Sequence, residues 1–173
     1  MCGIAGIISP DPADMALLPV MTDAMTRRGP DARGIWQGNG VGLGHRRLSI
    51  IDLSPRGNQP MFNEDGSLIL SANGEIYNFP VLTQDLKSKG HTFCSDSDCE
   101  PLLHLYEEYG DSLLKEVNGM FAFALWDNRQ HRLLAAVDRF GKKPLYYAVQ
   151  DQRLILASQL HALLHFPWIS RQV

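Results

Sequence analysis

The chain has 173 residues, of which 45% are hydrophobic and 20% are charged, with a formal net charge of -3. This length and composition predict one globular domain with a real core, covering residues 1–173, and exclude an intrinsically disordered chain. The acidic balance argues against binding to nucleic acid or to an anionic membrane surface. Three cysteines are too few for a disulfide scaffold, and no apolar run approaches the length of a spanning helix. We therefore predict a cytoplasmic protein.

Hydrophobic periodicity and turn residues predict strands and helices in separate runs. Strands are expected at 3–8, 34–38, 41–46, 68–72, 120–126, 132–138, 145–149 and 153–157. Helices are expected from Val20 to Met25, at 81–89, at 98–109 with Asp98 as N-cap, and from a Ser158 cap to Leu164. Because strands and helices do not alternate, the pattern favours an α+β fold with antiparallel sheets over a Rossmann fold.

Cys2 is the first candidate for chemistry. Removal of Met1, which is efficient when the second residue is small, would leave the thiol beside a free α-amine. The unperturbed pKa values of the amine and the thiol differ by less than about one unit, so the amine can act as the base for the thiol. The alternative is a small buried residue that opens the first strand, and the position alone leaves both open.

A second candidate is the Asn73-Gly74-Glu75 segment, which follows an apolar strand. An Asn side-chain N–H and a Gly backbone N–H can together stabilise the oxyanion that forms during attack on an amide. The same Asn-Gly pair between apolar segments is also the common signature of a type I′ hairpin. Taken alone, the pattern favours the turn.

Charged residues supply a third set of candidates. Arg47 ends a predicted strand, where a guanidinium could bind a carboxylate through two hydrogen bonds or lie solvated at the rim. Asp98 could bind an ammonium group or cap a helix. Two cysteines, Cys94 and Cys99, have too few nearby histidines for a closed metal site, so no metal site is predicted. A nucleophile, oxyanion donors, a carboxylate partner and an ammonium partner together describe a site for free glutamine.

The order of these motifs resembles the class II glutamine amidotransferases, specifically the N-terminal glutaminase domain of glutamine-hydrolysing asparagine synthetases. The resemblance covers nearly the whole chain and rests on MCGIAG at 1–6, RGPD at 28–31, HRRLSIID at 45–52, NGEIYN at 73–78, SDCE at 97–100 and GMFAFALWD at 119–127. It implies an N-terminal-nucleophile hydrolase fold, in which two antiparallel sheets are packed between helical layers as a four-layer αββα sandwich.

The resemblance also implies the residue roles. Cys2 would form a thioester with the glutamine side chain, and Asn73 with Gly74 would stabilise the oxyanion. The α-carboxylate would bind Arg47 and the backbone of Ile50 and Ile51, and the α-ammonium would bind Glu75 and Asp98.

The resemblance further implies the partners. The predicted ligand is L-glutamine, and the predicted partner is an ATP-dependent synthetase domain or subunit that receives the ammonia. The Ser-Gly-Gly-x-Asp-Ser loop of that domain does not occur in this chain. No cofactor is therefore expected here, with ATP and Mg²⁺ confined to the synthetase domain, and self-association is left open. The alternative function is a catalytically silent module that senses glutamine or serves in assembly.

Overall fold

Two antiparallel β-sheets form the centre of the fold in a computed structural model that describes residues 1–170. The first sheet contains β1 (Gly3–Ile8), β2 (Ala32–Gly38), β3 (Val41–Arg47), β8 (Tyr146–Gln150) and β9 (Arg153–Ala157). Its strands lie in the order β2-β3-β1-β9-β8. The second sheet contains β4 (Met61–Phe62), β5 (Leu68–Ile76), β6 (Gly119–Asp127) and β7 (Arg132–Val137), in chain order. Residues 171–173, which the predicted domain includes, lie outside the described residues.

Within residues 1–170, five α-helices cover the outer faces of the two sheets. They are α1 (Pro12–Met15), α2 (Leu18–Asp23), α3 (Phe79–Ser88), α4 (Pro101–Tyr109) and α5 (Leu160–Leu163). Short 3₁₀ helices span Pro55–Gly57 and Gly110–Lys115. Helices α2 and α5 pack on the first sheet, whereas α4 packs on the second sheet and against α3. The layers therefore run helix, sheet, sheet, helix. None of the helices in the described part of the chain is long and apolar enough to cross a lipid bilayer.

Alternation of side chains along the strands explains this layering. In β1, Ala5 and Ile7 pack in the cluster formed with α2, whereas Ile4 packs in the cluster between the sheets. In β5, Leu68 and Leu70 pack in the cluster formed with α4, whereas Ile69 packs between the sheets. Successive side chains of a strand point to opposite faces, so a strand with apolar residues on both faces must be covered on both.

Two predicted helix caps are wrong. Helix α4 begins at Pro101 rather than at 98, and the Asp98 carboxylate accepts a hydrogen bond from the Ile76 backbone N–H at 2.8 Å. Helix α5 begins at Leu160, and Ser158 Oγ instead accepts from the backbone N–H of Ile4 at 3.0 Å. In both cases the side chain is bonded to a distant strand rather than to its own helix, which local sequence signals do not reveal.

The hairpin turn that the Asn73-Gly74 pair favours when taken alone does not form. Strand β5 continues through both residues to Ile76, and Asn73 and Gly74 pair with Ala122 and Phe121 of β6. The predicted strand at 68–72 is therefore four residues too short. Helix α1 and the two-residue strand β4 were not predicted, since both are shorter than the window over which periodicity can be recognised.

Candidate active site

An open cavity lies where the loops and strand ends of the two sheets meet. Every residue that the sequence analysis assigned to the site lines this cavity: Cys2, Arg47, Ile50, Ile51, Asn73, Gly74, Glu75 and Asp98. They come from segments up to 96 positions apart along the chain, from Cys2 to Asp98. The fold thus brings together the predicted nucleophile, oxyanion donors and charged groups, whose roles remain predictions.

Cys2 lies immediately before β1 and is partly buried. Its Sγ is 3.4 Å from the Leu48 backbone nitrogen and 3.6 Å from the Leu48 carbonyl oxygen, and Arg28 Nε donates to the Cys2 carbonyl at 2.9 Å. Burial raises the pKa of the Cys2 thiol, and the hydrogen bond with Leu48 and the nearby positive charges offset this only in part. The thiol is therefore protonated at neutral pH and needs a base to become a nucleophile.

Asn73 provides an unused donor inside the protein. The residue is 2% exposed, and its Nδ2 has no hydrogen-bond partner among the described residues. Leaving a buried amide donor unpaired costs about 1–3 kcal/mol, so such a group points to a ligand that pairs with it. The neighbouring Gly74 has no room for a side chain, since a Cβ would lie 2.7 Å from both the Met120 carbonyl oxygen and Phe121 Cβ.

Arg47 ends β3 with its guanidinium held by a single loop. Nη1 donates to the Ser54 carbonyl at 2.7 Å and to Asn58 Oδ1 at 2.9 Å, and Nη2 donates to the carbonyls of Ile51, at 3.3 Å, and Asp52. These four acceptors are neutral oxygens, so they fix the orientation of the guanidinium without neutralising its charge. The result is a positioned cation in the cavity wall, which suits a carboxylate ligand.

Asp98 and Glu75 place two carboxylates in the same cavity. Asp98 is 5% exposed. Burial and the charge of Glu75 raise the pKa of the Asp98 carboxyl, although the hydrogen bond from Ile76 N–H opposes this rise. A cation bound beside these two carboxylates would favour the ionised form of Asp98. The pair therefore suits an ammonium ligand.

Lys143 is a cavity residue that the sequence analysis missed. Lys143 lies in the loop at 139–144, is 5% exposed and lines the cavity. The Asp138 carboxylate accepts from the backbone N–H groups of Phe140, Lys142 and Lys143, which folds the loop inward. The Lys143 ammonium lies 3.1 Å from Met1 Sδ. An Asp directly before such a loop is the local signal that could have indicated this fold.

Comparison with known proteins agrees with this geometry. Residues 1–173 match the family described as a glutamine amidotransferase domain. The chain is 42% identical over 177 aligned positions to the glutamine-hydrolysing asparagine synthetase 2 of Bacillus subtilis strain 168, covering 99% of this chain and 23% of that protein. It is 44% identical to amidase chry2 of Gibberella zeae over 151 positions, covering 86% of this chain and 22% of that protein. The chain thus spans less than a quarter of the length of these two relatives.

The fold is shared with a solved structure. Glutamine phosphoribosylpyrophosphate amidotransferase from B. subtilis superimposes with a TM-score of 0.79 at 23% identity, covering 94% of this chain and 43% of that one. The predicted α+β fold, a four-layer αββα sandwich with two antiparallel sheets, is confirmed. The chain belongs to the glutamine amidotransferase domain family, and its predicted resemblance to the asparagine synthetase branch is confirmed.

Proposed function

We propose that this domain hydrolyses the side-chain amide of L-glutamine to glutamate and ammonia through a thioester on Cys2. One observation carries the proposal: a partly buried thiol, an unpaired amide donor, a guanidinium and two carboxylates line a single cavity. Each group matches one part of glutamine, from the reacting amide to the α-carboxylate and α-ammonium. The family to which the chain belongs supports the same reaction class.

Removal of Met1 precedes catalysis and frees the α-amine of Cys2. The amine takes the thiol proton, which a thiol with a raised pKa does not release unaided. Sγ then forms a bond to the amide carbon, and the negative charge that develops on the amide oxygen is stabilised by Asn73 Nδ2 and the Gly74 N–H. The amine returns the proton to the leaving nitrogen, the C–N bond breaks and ammonia departs. Water then attacks the thioester, so that glutamate leaves and the thiol is restored.

Substrate recognition uses the charged walls of the cavity. Arg47 binds the α-carboxylate, with the backbone of Ile50 and Ile51 beside it, and Glu75 and Asp98 bind the α-ammonium. A neutral amide substrate would leave these charges uncompensated in a partly closed cavity, which costs free energy. Competition with N-acylglutamine tests this assignment. We expect N-acylglutamine to bind much more weakly than glutamine. Equal binding would contradict the assignment of Glu75 and Asp98 to the α-ammonium.

The ammonia acceptor lies outside this domain in our proposal. An ATP-dependent synthetase domain, in a longer chain or as a separate cytoplasmic subunit, would receive the ammonia and hold ATP and Mg²⁺, while the 1–173 domain works without a cofactor. Two relatives that are named as asparagine synthetases support this proposal. The chain spans only 23% and 27% of their lengths.

Glutamate release from glutamine tests the reaction, with Cys2→Ala as the control. We expect release by the wild-type domain and none above background by the variant. Equal rates of glutamate release would show that Cys2 is not the nucleophile. Intact-mass measurement adds an independent check, because the proposed mechanism requires loss of Met1. A retained Met1, with no turnover but measurable glutamine binding, would favour the silent sensing module.

A further inference from the structure

A second polar cluster lies apart from the cavity, beside α4. It is formed by Glu64 after β4, His91 after α3, and His104 with Glu107 one turn apart on α4; we call these four residues the Glu–His cluster. One nitrogen or carboxylate oxygen from each residue lies within 4.8 Å of those of the other three. None of the four lines the cavity or belongs to a motif used in the sequence analysis.

The spacing of the facing atoms matches a tetrahedral metal site. His104 Nδ1 is 3.2 Å from Glu107 Oε2 and 3.7 Å from Glu64 Oε2, and His91 Nδ1 is 3.4 Å from Glu107 Oε2. Zn²⁺ binds nitrogen and oxygen ligands at about 2.0–2.2 Å, which places tetrahedral ligand atoms roughly 3.3–3.6 Å apart. These three separations lie at or close to this range, and all six separations among the four ligand atoms are within 4.8 Å.

Both carboxylates of the Glu–His cluster accept hydrogen bonds from residues outside the cluster. Glu64 Oε1 accepts from the Thr92 backbone N–H at 2.8 Å, and Glu107 Oε1 accepts from Asn63 Nδ2 at 2.8 Å. In both residues Oε1 makes this hydrogen bond, and Oε2 faces the histidines. Outer partners of this kind orient metal ligands and raise the affinity of a site.

One of the two histidines also has an outer partner. His91 Nε2 lies 3.1 Å from Glu108 Oε1, so Nε2–H donates to that carboxylate and Nδ1 keeps its lone pair for the cluster. His104 is 1% exposed and its Nε2 has no hydrogen-bond partner among the described residues, although Glu100 Oε1 lies 4.0 Å away. A ring buried in this way, with its Nδ1 between two carboxylates, is suited to act as a metal ligand.

We propose that the Glu–His cluster binds one divalent transition-metal ion, with Zn²⁺ as the best fit. Two imidazoles and two carboxylates form a borderline ligand set that suits Zn²⁺ and balances its charge. The site departs from the metal-free prediction, which considered only the cysteines. Its role is structural, because the ion would join α4 to the segments that follow β4 and α3.

The metal-free alternative is an ion-pair network around a protonated His104. Burial lowers the pKa of His104, but its contacts with Glu100, Glu64 and Glu107 raise the pKa overall. A protonated ring would satisfy the same carboxylates without an ion. Metal titration separates the two arrangements, since only the metal site gains stability from added Zn²⁺.

The test is a Zn²⁺ titration of the whole chain, stripped by a chelator and followed by competition with a chromophoric chelator. We expect one equivalent to bind, a rise in Tm on binding, and an affinity at least about 100-fold lower in Glu107→Gln and in His91→Ala. Control variants are His165→Ala, at an exposed histidine, and Cys94→Ser, at an exposed cysteine; both should bind as the wild type does. If a ligand variant folds poorly by circular dichroism, Glu64→Gln replaces it, because that side chain is 38% exposed.

Co²⁺ provides the second readout, because its absorption spectrum distinguishes nitrogen and oxygen ligands from thiolates. We expect a tetrahedral spectrum without thiolate charge-transfer bands. Thiolate bands that disappear in Cys94→Ser would overturn the proposal, as would equal Zn²⁺ affinity in wild type and Glu107→Gln, or the absence of saturable binding at one equivalent. None of these measurements depends on glutamine hydrolysis.

Discussion

The interface between the two sheets is apolar along most of its length and polar at one end, and the same strands build both regions. In β5, Ile69, Ser71 and Asn73 share one face: Ile69 packs against the first sheet, Ser71 Oγ donates to the Gly44 carbonyl, and Asn73 Nδ2 has no partner among the described residues. In the first sheet, Ile4 packs in the apolar part, and Cys2 precedes it by two positions. The alternation of side chains along these strands continues into the cavity, where polar side chains replace apolar ones.

The two regions of the interface should contribute differently to stability and to activity. Residues of the apolar part have all their surface buried against the opposite sheet, so truncation there removes packing. At the polar end, the Asn73 amide donor has no partner among the described residues, so truncation there removes a ligand contact and not packing. Substitutions in the two regions should therefore separate the two properties.

The largest effect on stability is expected for Ile69→Ala. Ile69 is 1% exposed between the sheets, and a truncation of this kind costs about 2–5 kcal/mol in the free energy of unfolding. Urea denaturation followed by circular dichroism measures the loss. Glutamine turnover by the folded fraction should stay within a few-fold of the wild type. A large drop in turnover at full folding would mean that the apolar part also shapes the site.

Asn73→Ala tests the polar end. Loss of one oxyanion donor should lower turnover about 10²–10³-fold, or roughly 2.7–4 kcal/mol, while stability changes little because the amide donor makes no bond within the protein. Steady-state kinetics and urea denaturation of the same preparation provide the comparison. Unfolding of the variant, rather than slow turnover, would give Asn73 a structural role.

His45 lies at the boundary between the two regions and predicts a pH dependence of stability. The side chain is fully buried, and its Nε2–H donates to the Ala72 carbonyl at 3.0 Å. Burial lowers the pKa of His45 from 6.5 to about 4, so between these values the unfolded chain binds the additional proton. The stabilisation from neutral His45 is complete above pH 6.5 and is lost as the pH falls towards 4, by up to about 3 kcal/mol.

The matched variant for this measurement is His45→Gln, which keeps a donor for the Ala72 carbonyl and does not titrate. The free energy of unfolding of the wild type should fall more steeply between pH 7 and pH 4 than that of the variant. Parallel curves would show that the pKa of His45 is the same in the folded protein as in the unfolded chain.

The smallest effect is expected for Asp98→Asn, which keeps an acceptor for the Ile76 N–H. Loss of one charged hydrogen bond to the substrate, about 1.5–3 kcal/mol, should raise KM about 10–100-fold with a smaller change in kcat. Because the pKa of Asp98 is raised, wild-type KM should rise as the pH falls through that pKa, and the variant should lack this rise. An unchanged KM would assign the ammonium to Glu75 alone.

Local patterns in the sequence predicted most strands and the helices near α2, α3 and α4, because apolar periodicity reflects which face of an element is buried. The order of motifs indicated the site. Pairing between distant elements could not be predicted: Asp98 and Ser158 look like helix caps until Ile76 and Ile4 are placed beside them. The inward fold of Lys143 and the meeting of His91 with His104 likewise depend on tertiary packing alone.

The central place of β1 in the first sheet has a consequence for folding. Strand β1 pairs with β3 on one side and with β9 on the other, so that Ala5 lies opposite Ala157. The strand that follows Cys2 therefore gains its second neighbour only after almost the whole domain has left the ribosome. Contacts of such long sequence separation form late and slowly. Strand β1 is therefore fully paired only when the C-terminal strand β9 is in place.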